Sequence, residues 1–177
     1  PSPKNNAFES VESGSQKTDT VIGSKGIDKL RGQKKSDLIK GKKGADYLYG
    51  DNGADRLMGG KGADVLQGGN GKDELKGGAK NDVLYGGKKA DVLTGNTGKD
   101  TFILSKGKDV ITDFKAGKDA IGLVYALDLN FKQKGDDLLI KGNDGVKTLL
   151  LNTDKDNFLT NFPDNLEIVP AVEINLI

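Results

Sequence analysis

The chain has 177 residues, 26 of them Gly, with no Cys, His or Trp, and 27 Lys and Arg against 26 Asp and Glu leave a net charge of +1. Without Cys or His there is no disulfide framework, no thiol nucleophile, no His-based triad and no soft metal ligand. An aromatic content of 6% argues against one thick core, no apolar run is long enough to span a bilayer, and no N-terminal signal peptide is evident.

Residues 1–13, PSPKNNAFESVES, follow no period and read as a polar linker. Opening on Pro-Ser-Pro without Met suggests a piece of a longer chain. From Gly14 a nine-residue repeat sets in. Its first lines, among them GSQKTDTVI and GQKKSDLIK, keep an Asp and an apolar residue two positions later but lose the inner Gly. They suit the atypical end lines that a solenoid needs. From Gly41 to Phe102 the repeat is regular: GKKGADYLY, GDNGADRLM, GGKGADVLQ, GGNGKDELK, GGAKNDVLY, GGKKADVLT and GNTGKDTFI. Asp recurs nine apart at Asp19, Asp28, Asp37, Asp46, Asp55, Asp64, Asp73, Asp82, Asp91, Asp100 and Asp109. Two residues after each stands Val21, Leu30, Ile39, Leu48, Leu57, Leu66, Leu75, Leu84, Leu93, Phe102 or Ile111.

After Phe102 the Gly pairs stop, and Asp119 follows Asp109 by ten residues, which breaks the register. Phe102–Leu104 and Val110–Phe114 are β-rich. Strand candidates follow at Ala120–Tyr125, Asn130–Gln133, Asp137–Lys141, Lys147–Asn152 and Leu166–Val169. Asn143-Asp144-Gly145 is a hairpin turn signal, and Thr153–Asp156 ahead of Phe158 can start one helical turn.

Within a line, positions one to six are rich in Gly, Asn, Lys and Asp and can take turn conformations, including positive φ at Gly. Positions seven to nine make a short strand, in which position eight alone faces inward. Position nine, with Arg31, Lys40, Tyr49, Met58, Gln67, Lys76, Tyr85 and Thr94, is a mixed, solvated set.

These lines resemble the nonapeptide repeats of the RTX family, G-G-x-G-x-D-x-U-x with U apolar, which form a calcium-binding parallel β-roll. Gly59-Gly60-Lys61-Gly62-Ala63-Asp64-Val65-Leu66-Gln67 matches the motif best. The resemblance implies an all-β chain: a linker over 1–13, a β-roll over 14–112, and a short antiparallel β cap over 113–177 with a possible secretion signal. In such a roll two lines make one coil of two parallel sheets, so odd lines stack on odd and even on even. Asp carboxylates then stack in two ladders about 4.8 Å apart, close enough for unit charges to repel by roughly 3 kcal/mol at an effective dielectric near 20. The bland alternative is that each Asp only bonds its own turn. Over eleven lines in phase, a cation between the rungs is the better reading.

Carboxylates and turn carbonyls are hard oxygen ligands, which suit calcium. The candidate metal residues are Asp28, Asp46, Asp55, Asp64, Asp73, Asp82, Asp91, Asp100 and Asp109, with carbonyls from Gly44, Gly53, Gly62 and Gly71. The family's repeats are usually acidic, whereas here Lys17, Lys35, Lys80 and Lys89 fill position four and Lys25, Lys34, Lys43, Lys61 and Lys88 position three. Because a non-Gly residue resists positive φ by about 1–2 kcal/mol, the turns at Lys80 and Lys89 are expected to be reshaped, with calcium confined to lines 23–76.

By the same resemblance the chain is a secreted, extracellular or cell-surface module that folds on calcium after passing a type I exporter. Glu173-Ile-Asn-Leu-Ile177 resembles an exporter-read tail or is an ordinary final strand. The alternative is a β-roll that binds a carbohydrate or cell-surface polysaccharide beside an extracellular enzyme. A third reading makes the chain the non-catalytic tail of a protease, lipase or epimerase. No constellation of catalytic residues is visible, and no Gly-Lys pair completes a phosphate loop. Lys34-Lys35, Lys40 and Lys42-Lys43 can face a polyanion, but no aromatic platform accompanies them, so nucleic acid is not expected.

Overall fold

Each line carries one stretch that alternates inward and outward residues and one reversal rich in Gly or Lys. The computed structural model describes residues 10–123, 129–142, 145–161 and 166–168. The first strands are β1 (Ser10–Ser13), β2 (Thr20–Ile22), β3 (Asp28–Lys34), β4 (Leu38–Lys43), β5 (Tyr47–Asn52) and β6 (Arg56–Lys61). They continue with β7 (Val65–Asn70), β8 (Glu74–Ala79), β9 (Val83–Lys88), β10 (Val92–Thr97), β11 (Thr101–Ile103) and β12 (Asp109–Ile111). After them come β13 (Ala120–Leu123), β14 (Asn130–Lys134), β15 (Asp137–Lys141), β16 (Lys147–Leu150), α1 (Lys155–Thr160) and β17 (Leu166–Ile168).

Two sheets result. One has the order β1-β3-β5-β7-β9-β11-β13-β17, the other β14-β15-β16-β12-β10-β8-β6-β4-β2. Pairing along the repeats is parallel, with Leu48 opposite Leu66 and Leu57 opposite Leu75, so stacked residues are 18 apart. This is a parallel β-solenoid of about six turns with a short antiparallel segment at its end.

The strands are longer than the line reading expects. From β4 to β10 each runs six residues, from position seven of one line to position three of the next, leaving three-residue turns. Positions one to three pair with the next coil, as in Asp51 opposite Gly69 and Asn52 opposite Asn70, and so join the sheet. Ser10–Ser13, read as the end of the linker, pair with Asp28–Arg31 of β3 and extend the first sheet.

Position eight supplies the interior. Leu30, Leu48, Leu66, Leu84 and Phe102 line one wall, and Val21, Ile39, Leu57, Leu75, Leu93 and Ile111 the other, all buried. Burying each such side chain contributes about 1.5–3 kcal/mol, and each contact reaches only the neighbouring coils, as in any solenoid. Beyond the regular lines the stacking goes on. β13 pairs parallel with β11 after a one-residue slip, Phe102 opposite Ile121, and β16 pairs parallel with β12, Ile111 opposite Leu150. β15 is antiparallel to β16 and β14 to β15. Asp154 caps α1 by accepting a bond from Asn157 N at 2.8 Å. Phe158 of that helix lies 5.6 Å, centroid to centroid, from both Phe114 and Phe131, and Phe114 lies 6.1 Å from Phe102. These rings close the C-terminal end of the leucine stack.

All five strand candidates after the repeats and the helical turn are present within the described residues. Val124, Tyr125 and Val169 at the candidate strand ends, Asn143 and Asp144 of the hairpin turn, and the tail Glu173–Ile177 lie outside them. Among the described residues no helix is long and apolar enough to cross a membrane.

Candidate metal centre

Position six stands just ahead of each strand from β4 to β10, two residues before the inward position eight, so alternation turns its side chain inward as well. The ladder aspartates from Asp28 to Asp109 are only 0–3% exposed. Position one, two residues after position eight, also faces inward, and Gly41, Gly50, Gly59, Gly68, Gly77, Gly86 and Gly95 are all buried. Three positions therefore point in, where the line reading allowed one.

Each carboxylate has two different oxygens. Oδ1 accepts a hydrogen bond from the backbone N–H of the Asp one coil earlier: Asp28 N to Asp46 at 2.9 Å, Asp46 N to Asp64 at 2.8 Å, and Asp64 N to Asp82 at 2.9 Å. On the other edge Asp37 N reaches Asp55 at 2.7 Å, Asp55 N reaches Asp73 at 2.8 Å, and Asp73 N reaches Asp91 at 2.9 Å. Oδ1 thus completes the backbone ladder through the turn, bonding the adjacent coil and not its own. Oδ2 is the other matter. In Asp37, Asp46, Asp55, Asp64, Asp73, Asp82 and Asp91 it is buried without a hydrogen-bond partner. Such a group costs about 1–3 kcal/mol, and more when charged.

The position-one Gly makes room for that oxygen. A Cβ on Gly59 would stand 2.4 Å from Asp64 Oδ2 and 2.7 Å from the carbonyl oxygen of Gly77; one on Gly41 would stand 2.4 Å from Asp46 Oδ2 and 2.7 Å from Gly59 O. A carboxylate oxygen and a carbonyl oxygen therefore converge on one cradle at each rung from Gly23 to Gly68. Each position-four carbonyl also lies against the position-four residue one coil on: a Cβ on Gly62 would fall 1.4 Å from Gly44 O, and one on Gly71 1.4 Å from Gly53 O. Among the described residues no three carboxylates gather at one point. An ion here would draw on the two ladders' single carboxylates and on carbonyls.

Burial sets the acidity. Desolvation pushes Asp73 up to about 6, and desolvation followed by the charge of neighbouring rungs pushes Asp46 and Asp64 up to about 6, Asp55 and Asp91 to about 7, and Asp82 to about 8. Hydrogen bonds from the backbone act the other way but do not win. A positive charge among these oxygens would reverse the balance.

The turns at Lys80 and Lys89, expected to be reshaped, differ from those of the Gly lines in backbone angle but keep their carbonyls in place. Both residues take left-handed backbone angles, φ 80° and 86°, as Lys35 does at 77°. Their carbonyls keep the place a Gly carbonyl takes: a Cβ on Gly98 would fall 1.7 Å from Lys80 O and one on Gly107 1.5 Å from Lys89 O. Both side chains are exposed, and the charges that act on Asp82 are those of Asp64 and Asp100. The backbone bears the strain and the donor set survives.

The two ends of the ladder differ from its middle. Ser15 donates from its backbone N and its Oγ to Asp19 Oδ2, and Ser24 does the same to Asp28 Oδ2. Ser105 Oγ donates to Asp109 Oδ2 at 2.8 Å. These serines occupy position two and supply the partner that the middle rungs lack. Asp119, which the sequence places past a register break, rejoins the ladder: its Oδ1 accepts from Asp100 N at 3.1 Å and its Oδ2 from Lys115 N at 2.9 Å. The serines were legible only as Ser at position two of a line with an Asp at position six.

A parallel roll lined by two aspartate ladders and glycine cradles defines the class: a repeat solenoid built around hard-oxygen cation sites. The family described as "RTX calcium-binding nonapeptide repeat (4 copies)" matches residues 13–48, 34–66, 49–83, 67–102 and 76–111. Those segments together run over more than half of the chain, which belongs to that family. The family binds calcium through a structural β-roll and occurs in secreted proteins. Among solved structures the chain is similar to the extracellular lipase LipA from Serratia marcescens, at 17% identity and a TM-score of 0.48, over 88% of this chain and 40% of the lipase chain. It is also similar to the AlgE6R3 subunit from the Azotobacter vinelandii mannuronan C5-epimerase, at 24% identity and a TM-score of 0.33, over 84% of this chain and 82% of that one. The chain thus spans 40% of the length of the lipase it matches. No curated protein matches it.

Proposed function

We propose that this chain is a calcium-dependent folding module of a secreted protein, itself non-catalytic, which stays unfolded in a calcium-poor cell, passes a type I exporter and folds outside. The observation that carries the reading is the row of buried, partnerless Oδ2 atoms from Asp37 to Asp91. Such oxygens call for a positive charge, and among the described residues no Lys or Arg is buried to supply it.

Asp46, Asp55, Asp64, Asp73, Asp82 and Asp91 would hold the ion through Oδ2, joined by Asp37 at one end and Asp100 at the other. Gly44, Gly53, Gly62 and Gly71 would lend carbonyls, and Lys80 and Lys89 would do so in their lines. Calcium, when bound, supplies the charge that offsets the repulsion along each ladder and the desolvation of its carboxylates. Asp28 and Asp109 fall at the margin of this set, because Ser24 and Ser105 already bond their second oxygens. Metal binding free energy then becomes folding free energy. The proposed division is a roll over 14–112 and a cap beyond it, with β14–β16 and α1 shielding the last coil.

Circular dichroism with thermal melting tests the reading. Strand signal and midpoint should both rise steeply from excess chelator to millimolar calcium. The same melting curve in the two conditions rules out a folding switch.

A further inference from the structure

The interior and the surface of the roll carry opposite charge. Residues 14–112 hold 19 Lys and Arg and 13 Asp and Glu, and 11 of those acids are the ladder aspartates. The ladder acids from Asp28 onward are buried, whereas none of the 19 cations is. The other two acids are engaged: Asp51 by Arg31 at 2.7 Å, and Glu74 by Arg56 at 2.9 Å and Lys76 at 2.7 Å. A net charge of +1 therefore conceals a cationic outer surface over an anionic core.

Lysines line both turn edges of the roll; on one of them, where the turns that follow β3, β5, β7 and β9 stack, they flank a groove. Lys35, Gly53, Gly71 and Lys89 hold position four in four successive coils. A shallow groove of about 540 Å3 runs beside them, lined by Lys35, Lys72 and Lys89 together with Ser36, Asn52 and Asn70. Asn70 Nδ2 donates to Asn52 Oδ1 at 3.0 Å, so the floor is a ladder of amides. No acid and no aromatic ring lines the groove. Lys34 and Lys88 precede Lys35 and Lys89 and add to the charge on the same edge.

We propose that this edge binds a linear acidic polysaccharide, one with a carboxylate or sulfate on successive sugars, laid along the roll axis. The exposed ammoniums answer the anionic groups as point charges. Amide, hydroxyl and backbone groups of the floor answer the sugar hydroxyls, and coils about 4.8 Å apart present them at regular intervals. Nucleic acid suits the groove less, since unstacked bases need an aromatic platform and the lining offers none. The proposal rests on the calcium reading in one respect: with the ladders compensated by metal, the outward field is that of the lysines, so binding is strongest in calcium.

The test is titration calorimetry of the full chain with chondroitin sulfate in calcium, with neutral dextran and poly(dT) as comparison ligands. Lys35→Gln/Lys72→Gln/Lys89→Gln removes three charges from the groove; Lys132→Gln/Lys134→Gln/Lys141→Gln removes three from the cap. The groove variant should bind about tenfold more weakly, the sum of three exposed ion pairs, the cap variant should bind like the parent chain, and dextran should not bind. Equal losses in the two variants, no binding of chondroitin sulfate by the parent chain, or tighter binding of poly(dT) would overturn the proposal. Lys72→Gln alone, in an open position-five site, gives the same reading at smaller size if the triple variant melts early. Circular dichroism of each sample separates the two readings: a roll that is folded and binds equally in chelator sinks the calcium reading alone, and a folded roll that fails to bind in calcium sinks this one alone.

Discussion

Asp64 shows what one residue does in this fold. Its Oδ1 takes the backbone N–H of Asp46, and its Oδ2 has no partner. Asp64→Asn keeps an oxygen for the first role and loses the charge needed for the second. Melting with and without calcium should show most of the calcium-induced gain lost and the midpoint in chelator little changed. Asp119→Asn should differ, because both Asp119 oxygens bond backbone amides. It should lower both midpoints alike, by about 1–2 kcal/mol. Parallel behaviour of the two variants would remove Asp64 from the metal set. Gly59 is equally specific. Gly59→Ala would set a methyl 2.4 Å from Asp64 Oδ2, an overpacking expected to cost about 1–3 kcal/mol or more; an unchanged denaturation midpoint would show that the cradle yields. The aspartate period was plain in the sequence because every rung repeats one environment. The role of the position-one Gly was not, since a Gly wanted for interior space looks the same as a Gly wanted for a turn.

At the scale of the turn, the backbone angle at position four varies with the residue that stands there. Lys35, Lys80 and Lys89 take left-handed angles of 77°, 80° and 86°, Gly44 and Gly53 stand at 127° and 156°, and Gly62 and Gly71 have no positive φ. Lys80→Gly relieves about 1–2 kcal/mol of strain, part of which is offset by the greater freedom of Gly in the unfolded chain. A net stabilisation of up to about 1 kcal/mol with unchanged calcium stoichiometry is expected from melting and equilibrium dialysis. A gain in bound calcium would mean that the Lys turn is a poor donor after all. Element types were legible after the repeats, where β13 to β17 and α1 arise near the expected residues. Strand length was not, because nothing in a Gly-Gly-Lys triplet announces that its amides pair with the next coil. The place of Asp119 was hidden by a single extra residue between coils, taken up in the turn where Asp119 N and Lys118 N both donate to Lys115 O.

For the whole molecule, burial of an acid ladder links stability to both protons and metal. In the folded, metal-free roll Asp46, Asp64, Asp73 and Asp109 titrate near 6, Asp55 and Asp91 near 7 and Asp82 near 8, against an unfolded value of about 3.9. Between those limits the folded state binds more protons than the unfolded one, so stability falls as pH rises. In chelator the melting midpoint should therefore be higher at pH 5 than at pH 8. With calcium present, protons compete for the same oxygens and calcium affinity should weaken toward pH 5. A chelator midpoint that rises with pH would contradict the buried-ladder picture. At the N-terminal end the pattern reverses, because hydrogen bonds from Ser15 hold the Asp19 carboxyl below its ordinary value. The most direct measurement is a crystal structure grown in calcium, with the ions located by anomalous scattering. Ions should lie beside the Oδ2 atoms from Asp37 to Asp91, including the Lys80 and Lys89 turns, and be absent at Asp19 and Asp119. Ions bound at those ends, or middle rungs left empty in saturating calcium, would contradict a metal-filled central ladder.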